Sequence, residues 1–291
     1  MIKAELPKNI FAGAILVLVG ANFFVWYAAA AESRGGILTL AVLDVGQGDA
    51  IYIEAPNGVQ VIFDGGPDGS IITALREVMP FYDRTVDAVF VTNPDKDHFA
   101  GFIDLFNDFG VLSVFESGTR NDTEVFEIFN RAATTETPER RLVRRGQRII
   151  LDSDFQVFID ILFPDRDVSG LSPNDGSIVA KLVYKETCAI LTGDAPSAIE
   201  NYLIWLDREA LDCEALKIGH HGSKTSTSPE FVAAVSPDFA LISAGKENKY
   251  GHPHKETIQT LENFGTAIFS TDQAGTIILK SNGDDWSLAN Q

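Results

Sequence analysis

Cysteine is nearly missing from this chain. Only Cys188 and Cys213 occur in 291 residues, which excludes a disulfide-rich scaffold and a multi-cysteine zinc ribbon. Positive charge is also scarce, with 23 Lys and Arg against 41 Asp and Glu and a net charge of -18. A long basic face for gripping nucleic acid is therefore not expected. A polyanionic substrate would require bound cations to offset local repulsion, although the acidic balance also serves plain solubility. No internal repeat recurs at a fixed period. Histidine is limited to five residues. The length suits one large domain or two modest ones.

Charge is missing altogether from Ile10 to Ala31, where Asn22 is the one side-chain amide. These 22 positions would span about 33 Å as a helix, enough to cross a bilayer. Lys3 and Lys8 precede the run, so the positive-inside rule predicts residues 1–9 in the cytoplasm and the rest of the chain outside. The expected organisation is a transmembrane anchor over 10–31, a linker over 32–37 and one domain over 38–291. Ala28 to Ala31 also fits a small-residue cleavage site, which would release a secreted domain. A buried core helix is disfavoured because the run has no polar face.

Beyond the linker, short apolar runs alternate with turn signals. Leu38 to Leu43, Ala50 to Glu54 and Val59 to Phe63 read as strands, the last two joined through Pro56-Asn57-Gly58. Gly46 and Gly48 permit a tight turn before Asp49. Ser70 to Val78, Gly101 to Asn107 and Glu124 to Ala133 read as helices. Thr134 to Arg145 reads as a polar loop. It carries Arg140, Arg141, Arg144 and Arg145, either a solvated cluster or a contact for a phosphate backbone.

The chemistry-bearing residues lie where strands end. Ala88-Val89-Phe90 runs into Asn93-Pro94-Asp95-Lys96-Asp97-His98, and Ala189-Ile190-Leu191 runs into Thr192-Gly193-Asp194. Leu216-Lys217-Ile218 runs into Gly219-His220-His221-Gly222-Ser223, and Tyr250-Gly251-His252-Pro253-His254 closes the series. All five histidines therefore fall in three short segments. Carboxylate and imidazole together suit a divalent cation, since both present lone pairs when deprotonated. Asp64-Gly65-Gly66 is either a plain turn or a carboxylate placed behind a ligand.

With Leu43 to Ala50, Phe63 to Gly66, Asp95 to His98, Asn174 to Ser177, Leu191 to Asp194, His220 to Ser223 and Tyr250 to His254 in this order, the chain from about Leu38 onward resembles the metallo-β-lactamase-fold domain of ComEC-type DNA-uptake competence proteins. The resemblance implies an α/β, four-layer αββα sandwich with a metal site at one edge. It implies a metal-dependent hydrolase acting on DNA phosphodiesters outside the cytoplasm, with one or two Zn²⁺ or Mn²⁺ ions. ComEC-type proteins also carry a multi-helix channel, which a single membrane segment cannot form, so a separate channel protein is an implied partner. Hydrolysis of another ester, amide or lactone remains open, because the fold hosts many chemistries.

The resemblance also implies residue roles. Asn93 stands where the family has the first His of His-x-Asp-x-Asp-His. By analogy Asn93 and Asp95 serve one metal, Asp97 and His98 the other, and Asp194 bridges them. His220 is favoured over the adjacent His221 to complete the second site. An amide oxygen is a weak ligand, so three outcomes stand: a weakly held first metal, a single metal, or a metal-poor binding domain without turnover. Asp97, His252 and Asp64 are the expected catalytic groups, Asp64 by orienting a ligand. His221, Ser223, Thr225, Asn174, Ser177 and His254 are expected on the substrate side. The fold implies that Cys188 and Cys213 lie at similar depth on neighbouring strands, either as a disulfide or as two buried thiols.

Overall fold

The computed structural model describes residues 8–32, 35–137 and 139–289, with side chains described in the first segment over 11–27. The chain divides into two units, 1–35 and 36–291. In the first, Lys8–Glu32 is one helix, and its residues 11–27 are exposed. The span expected over 10–31 is thus helical, but among the described residues no helix is long and apolar enough to cross a membrane. Position 10 and positions 28–31 of that expected span, and 32 of the expected linker, lie outside the described side chains, while 1–7 of the expected cytoplasmic segment and 33 and 34 of the linker lie outside the described residues.

The second unit contains an eight-stranded and a seven-stranded sheet among the described residues. Strand alternation builds the layers. On Gln60–Gly65, Val61 and Phe63 join a core shared with Ile159, Leu182 and Ala189 of the other sheet. Ile62 points the opposite way and packs with Leu75, Leu105 and Phe129 of Ser70–Val78, Gly101–Asp108 and Glu124–Glu136. This is the period of two that separates the faces of a strand. On the far side, Ile190 and Leu216 pack with Leu203, Val232 and Leu261 of Ser197–Asp207, Pro229–Val235 and Lys255–Asn263. The result is the expected αββα order. Phe63 and Phe90 stack with centroids 4.2 Å apart at the centre of the first sheet. Burial of each such ring contributes about 1.5–3 kcal/mol.

Within each sheet a parallel block sets the functional edge. Gln60–Gly65, Thr85–Val91 and Gly110–Glu116 run parallel in the first sheet. Thr187–Leu191, Ala215–Lys217, Phe239–Ile242 and Ala267–Ser270 do so in the second. Both faces of these strands are covered, so they read as nearly continuous apolar runs. Their carboxyl ends open onto loops, the usual place for ligands in such sheets.

One segment departs from expectation. Residues 134–145 do not form a simple polar loop: Glu139–Leu142 is the edge strand of the first sheet, paired in parallel with Gly110–Glu116. Its charged residues hide it from sequence patterning, while an edge strand favours such charge because it blocks pairing with other chains. Cys188 and Cys213 form a disulfide with Cα atoms 5.2 Å apart, which settles the two alternatives left open above.

Candidate metal centre

Four loops meet at this edge. The loop after Thr85–Val91 brings Asn93, Asp95, Asp97 and His98, and the turn after Thr187–Leu191 brings Asp194. The turn after Ala215–Lys217 brings His220 and His221, and His252 arrives from the segment before Lys255–Asn263. Two glycines allow the loops to close. A side chain on Gly48 would meet the Asp97 carbonyl oxygen at 2.3 Å, and one on Gly193 would meet Thr92 Oγ1 at 2.7 Å. In the space released, the Asp49 amide donates to that Asp97 carbonyl at 3.1 Å.

Two imidazoles are held in the same way from behind. Asp64 accepts from the Thr92 amide at 2.8 Å and from Thr92 Oγ1 at 2.6 Å, and its Oδ2 lies 2.7 Å from His98 Nδ1. Asp49 Oδ1 lies 3.1 Å from His221 Nδ1, while Asp49 Oδ2 accepts from Lys217 Nζ at 2.7 Å. A carboxylate only accepts, so each holds a proton on Nδ1 and turns Nε2 toward the other loops. Carboxylates behind metal-ligating histidines act in this way. Asp49, Asp64, His98, Lys217 and His221 are all buried.

The Nε2 nitrogens face the carboxylates of those loops. His98 Nε2 is 3.1 Å from Asp194 Oδ2, and His221 Nε2 is 3.3 Å from Asp97 Oδ2 and 3.9 Å from Asp194 Oδ1. His220 Nε2 approaches Asp194 Oδ2 at 3.7 Å from a partly exposed position. Asp97, His98 and His221 each offer a ligand atom within 4.8 Å of the others. Asp194 Oδ1 and His252 Nδ1 are buried without a hydrogen-bond partner, and His98 Nε2 and His221 Nε2 are buried facing carboxylate oxygens alone. Leaving such atoms unsatisfied costs about 1–3 kcal/mol each, and a cation at their junction would satisfy them. On this observation the residues fit a divalent cation.

Electrostatics agree. Burial opposes the charged form of His98, but Asp194 and Asp64 outweigh it and hold its pKa well above the imidazole range. His221 is likewise opposed by burial and raised by Asp194 and Asp49, to about 10. Burial disfavours the Asp194 carboxylate, but His98 and His221 lower its pKa all the same. Asp49 is lowered to about 2 because Lys217 and His221 outweigh its burial. Burial, aided by the neighbouring His221, pulls His252 down to about 4, so it is neutral near pH 7. The carboxylates that hold protons on His98 and His221 are equally placed to favour a cation.

His220 and His221 share an unusual backbone. Both adopt left-handed conformations, φ 49° and 56°, and Asp64 does the same at φ 59°. Such strain costs about 1–3 kcal/mol per residue and clusters at functional sites. The buried Glu200 carboxylate braces the loop just beyond, accepting from the Thr227 and Ser228 amides at 2.5 and 2.9 Å.

The remaining residues singled out from sequence lie around this core. Asn93 is buried, donates to Asn174 Oδ1 at 2.6 Å, and accepts from the Asp95 amide at 2.9 Å. Ser177 Oγ lies 3.5 Å from the same Asn93 amide nitrogen. Asn93 is thus engaged on both ends of its side chain by protein groups. Asp95 is half-buried, and burial raises its pKa. Ser223 and Thr225 bond to each other at 3.0 Å, and Thr225 Oγ1 reaches His220 Nδ1 at 3.1 Å. His254 Nδ1 accepts from the Lys224 amide. A cavity of about 410 Å³ opens over the centre, lined among others by Gln47, Asp95, Asp97, Asp194, His221 and His252. Asn174, Ser177, Ser223, Thr225 and His254 do not line it. Sequence reasoning gave Asp49 no role, although its Gly-rich turn was noted, and passed over Lys217 and Glu200, whose isolated charges carry no spacing signal.

Known proteins resemble this chain over most of its length. ComE operon protein 3 of Bacillus subtilis is 29% identical over 94% of this chain and 36% of its own length. Recombination protein 2 of Haemophilus influenzae is 28% identical over 81% and 28% respectively, and competence protein ComA of Neisseria gonorrhoeae is 26% identical over 94% and 36%. The chain spans about a third of the length of these curated relatives. CmlA, a diiron beta-hydroxylase from Streptomyces venezuelae, shares the fold with a TM-score of 0.50 at 12% identity, over 79% of this chain and 52% of that one. The family model for the Metallo-beta-lactamase superfamily matches residues 43–246. That match runs through the turn carrying Asp49, the Asp64 corner and the loops of Asp97, His98, Asp194 and His221, and on this ground the chain belongs to the metallo-beta-lactamase superfamily.

Proposed function

We propose that the chain is a metal-dependent phosphodiesterase acting on DNA, with a single divalent cation held by Asp97, His98, Asp194 and His221. The observation that carries the reading is the convergence of buried His98 Nε2, His221 Nε2 and the carboxylates of Asp97 and Asp194 on one point. When bound, the cation supplies Lewis acidity toward a phosphoryl oxygen and toward attacking water. Around it, Asp64 and Asp49 orient the two imidazoles. His252, neutral near pH 7, presents a ring nitrogen at the cavity wall to position a phosphate oxygen or water. Sequence alone favours His220 as the ligand. His221 is the more buried of the pair and the one backed by a carboxylate, which supports assigning it the role and leaves His220 at the rim. The engagement of Asn93 by Asn174 and the Asp95 amide supports one cation rather than two. DNA as substrate draws support from relatives named for competence and recombination.

We further propose that the uncharged run over 10–31 anchors the chain, with the hydrolase unit outside the cytoplasm. The Cys188–Cys213 disulfide supports an oxidising compartment.

The test is elemental analysis with cleavage of single- and double-stranded DNA in Mn²⁺ or Zn²⁺, for the native chain and for Asp97→Ala and His221→Ala. About one equivalent of metal, and cleavage lost in both variants, is expected. A metal content near zero, or cleavage unchanged in both variants, overturns the reading. Turnover of lactones or carboxylic esters without DNA cleavage would transfer the centre to another substrate.

A further inference from the structure

We infer that the arginine-walled cavity next to the metal centre seats backbone phosphates of a polynucleotide strand, an inference that rests on the phosphodiesterase reading and names where its substrate docks. The cavity measures about 760 Å³ and is walled in part by Arg120, Arg140, Arg141 and Arg144. It is a concentration of cationic side chains on a chain whose net charge is -18.

The four arginines are not equivalent. Arg140 is paired with Glu116 and Arg141 with Glu139. Both sit on the edge strand Glu139–Leu142, where charge serves to block unwanted pairing. Arg144 differs: its Nη1 donates to the carbonyl oxygens of Ser117 and Val143, each at 2.7 Å. Neutral acceptors fix the direction of the guanidinium, and one carboxylate offsets part of its charge. Arg120 is exposed and makes no hydrogen bond or ion pair with the described residues. The carboxylate facing this pair is Asp167. Two guanidinium forks in this setting match the geometry of a planar or tetrahedral oxyanion, phosphate among them.

Position supplies the second observation. Residues 118–120 wall the arginine cavity, while Asn121 and Thr123 wall the cavity of the metal centre. One short loop thus separates the two spaces. It is tied to the ligand loop, with Asn121 Nδ2 donating to the Pro94 carbonyl at 2.8 Å and lying 3.4 Å from Asp95 Oδ1. A strand lying on Arg120 and Arg144 therefore continues directly past Asn121 toward Asp97 and His98. A strand is needed because the anionic centre repels phosphate, and cations outside it must supply the grip.

The experiment measures fluorescence anisotropy of a labelled single-stranded oligodeoxynucleotide with the full chain in EDTA, across a salt series. Replacing both residues, Arg120→Gln with Arg144→Gln, is expected to weaken binding about tenfold and to lower the slope of log K against log salt by about 1.4. Arg120→Gln alone, at a side chain with no hydrogen bond or ion pair among the described residues, should lower it by about 0.7. Unchanged affinity and slope in both variants overturn the inference. Complete displacement of the oligonucleotide by millimolar inorganic phosphate also overturns it, in favour of a small-anion site. Binding here needs no metal, so failure of the native chain to hydrolyse bis(p-nitrophenyl) phosphate in Mn²⁺ would count against the hydrolase reading, while the anisotropy still decides the groove.

Discussion

Asp49 bonds His221 on one side and Lys217 on the other, so it decides both which imidazole nitrogen turns toward the other loops and how the local charge balances. Lys217→Met would leave Asp49 buried without its cation. Breaking one half of a buried pair costs about 3–5 kcal/mol, and denaturant unfolding should read a loss of that size. Asp49→Asn keeps the shape but weakens the hold on the His221 tautomer. Its cation affinity should fall about 10- to 100-fold, read by competition with a chelating dye. A second expectation concerns protons. The pKa of His221 is raised to about 10 and that of His98 is also raised, so both carry protons at pH 7 in the metal-free protein. Cation binding must release them. Apparent affinity should therefore rise with pH from 6 to 9, and calorimetry in buffers of differing ionisation enthalpy should show proton release. Absence of release would mean that these two imidazoles are not ligands.

At this scale much of the site was legible. Asp97, His98 and Asp194 announce themselves as polar residues that abruptly follow apolar runs. Which of His220 and His221 is the more buried was not legible, because it depends on a left-handed turn that presents the second ring inward. Lys217 lay out of reach for a different reason: a lysine inside an apolar strand reads as an interruption until its carboxylate partner, distant in sequence, is seen.

Among the elements, Thr187–Leu191 and Ala215–Lys217 matter most, since they deliver Asp194 and His221 and run parallel. The Cys188–Cys213 link, with a sequence separation of 25, joins the two segments near their other ends. Closing a loop of this length stabilises by about 3.5 kcal/mol in the chain-entropy account. Cys188→Ala with Cys213→Ala should lose about that much in denaturant unfolding, and thiol titration of the denatured, unreduced native chain should find no free thiol. Most strands and helices were readable from alternation and turn residues. Glu139–Leu142 was not, because an edge strand carries charge where inner strands carry apolar residues.

For the whole molecule, the αββα order follows from strands apolar on both faces and helices apolar on one. The N-terminal run is clear in composition, yet composition alone does not fix what surrounds it. The strong acidic excess, which argued against a basic face, averages over the surface and conceals a local cationic cluster.

One arrangement carries a mechanical consequence. Asp97 and His98 extend from the eight-stranded sheet, and Asp194 and His221 from the seven-stranded one. An ion gripped by all of them acts as a rivet through the sandwich, and the layers cannot part until it departs. By mass action, an ion at a hundred times its dissociation constant adds about 2.7 kcal/mol, or about 5–10 °C in melting temperature for a unit of this size. Scanning calorimetry before and after chelation reads that difference directly, and coincident melting curves would mean that nothing fastens the two halves together.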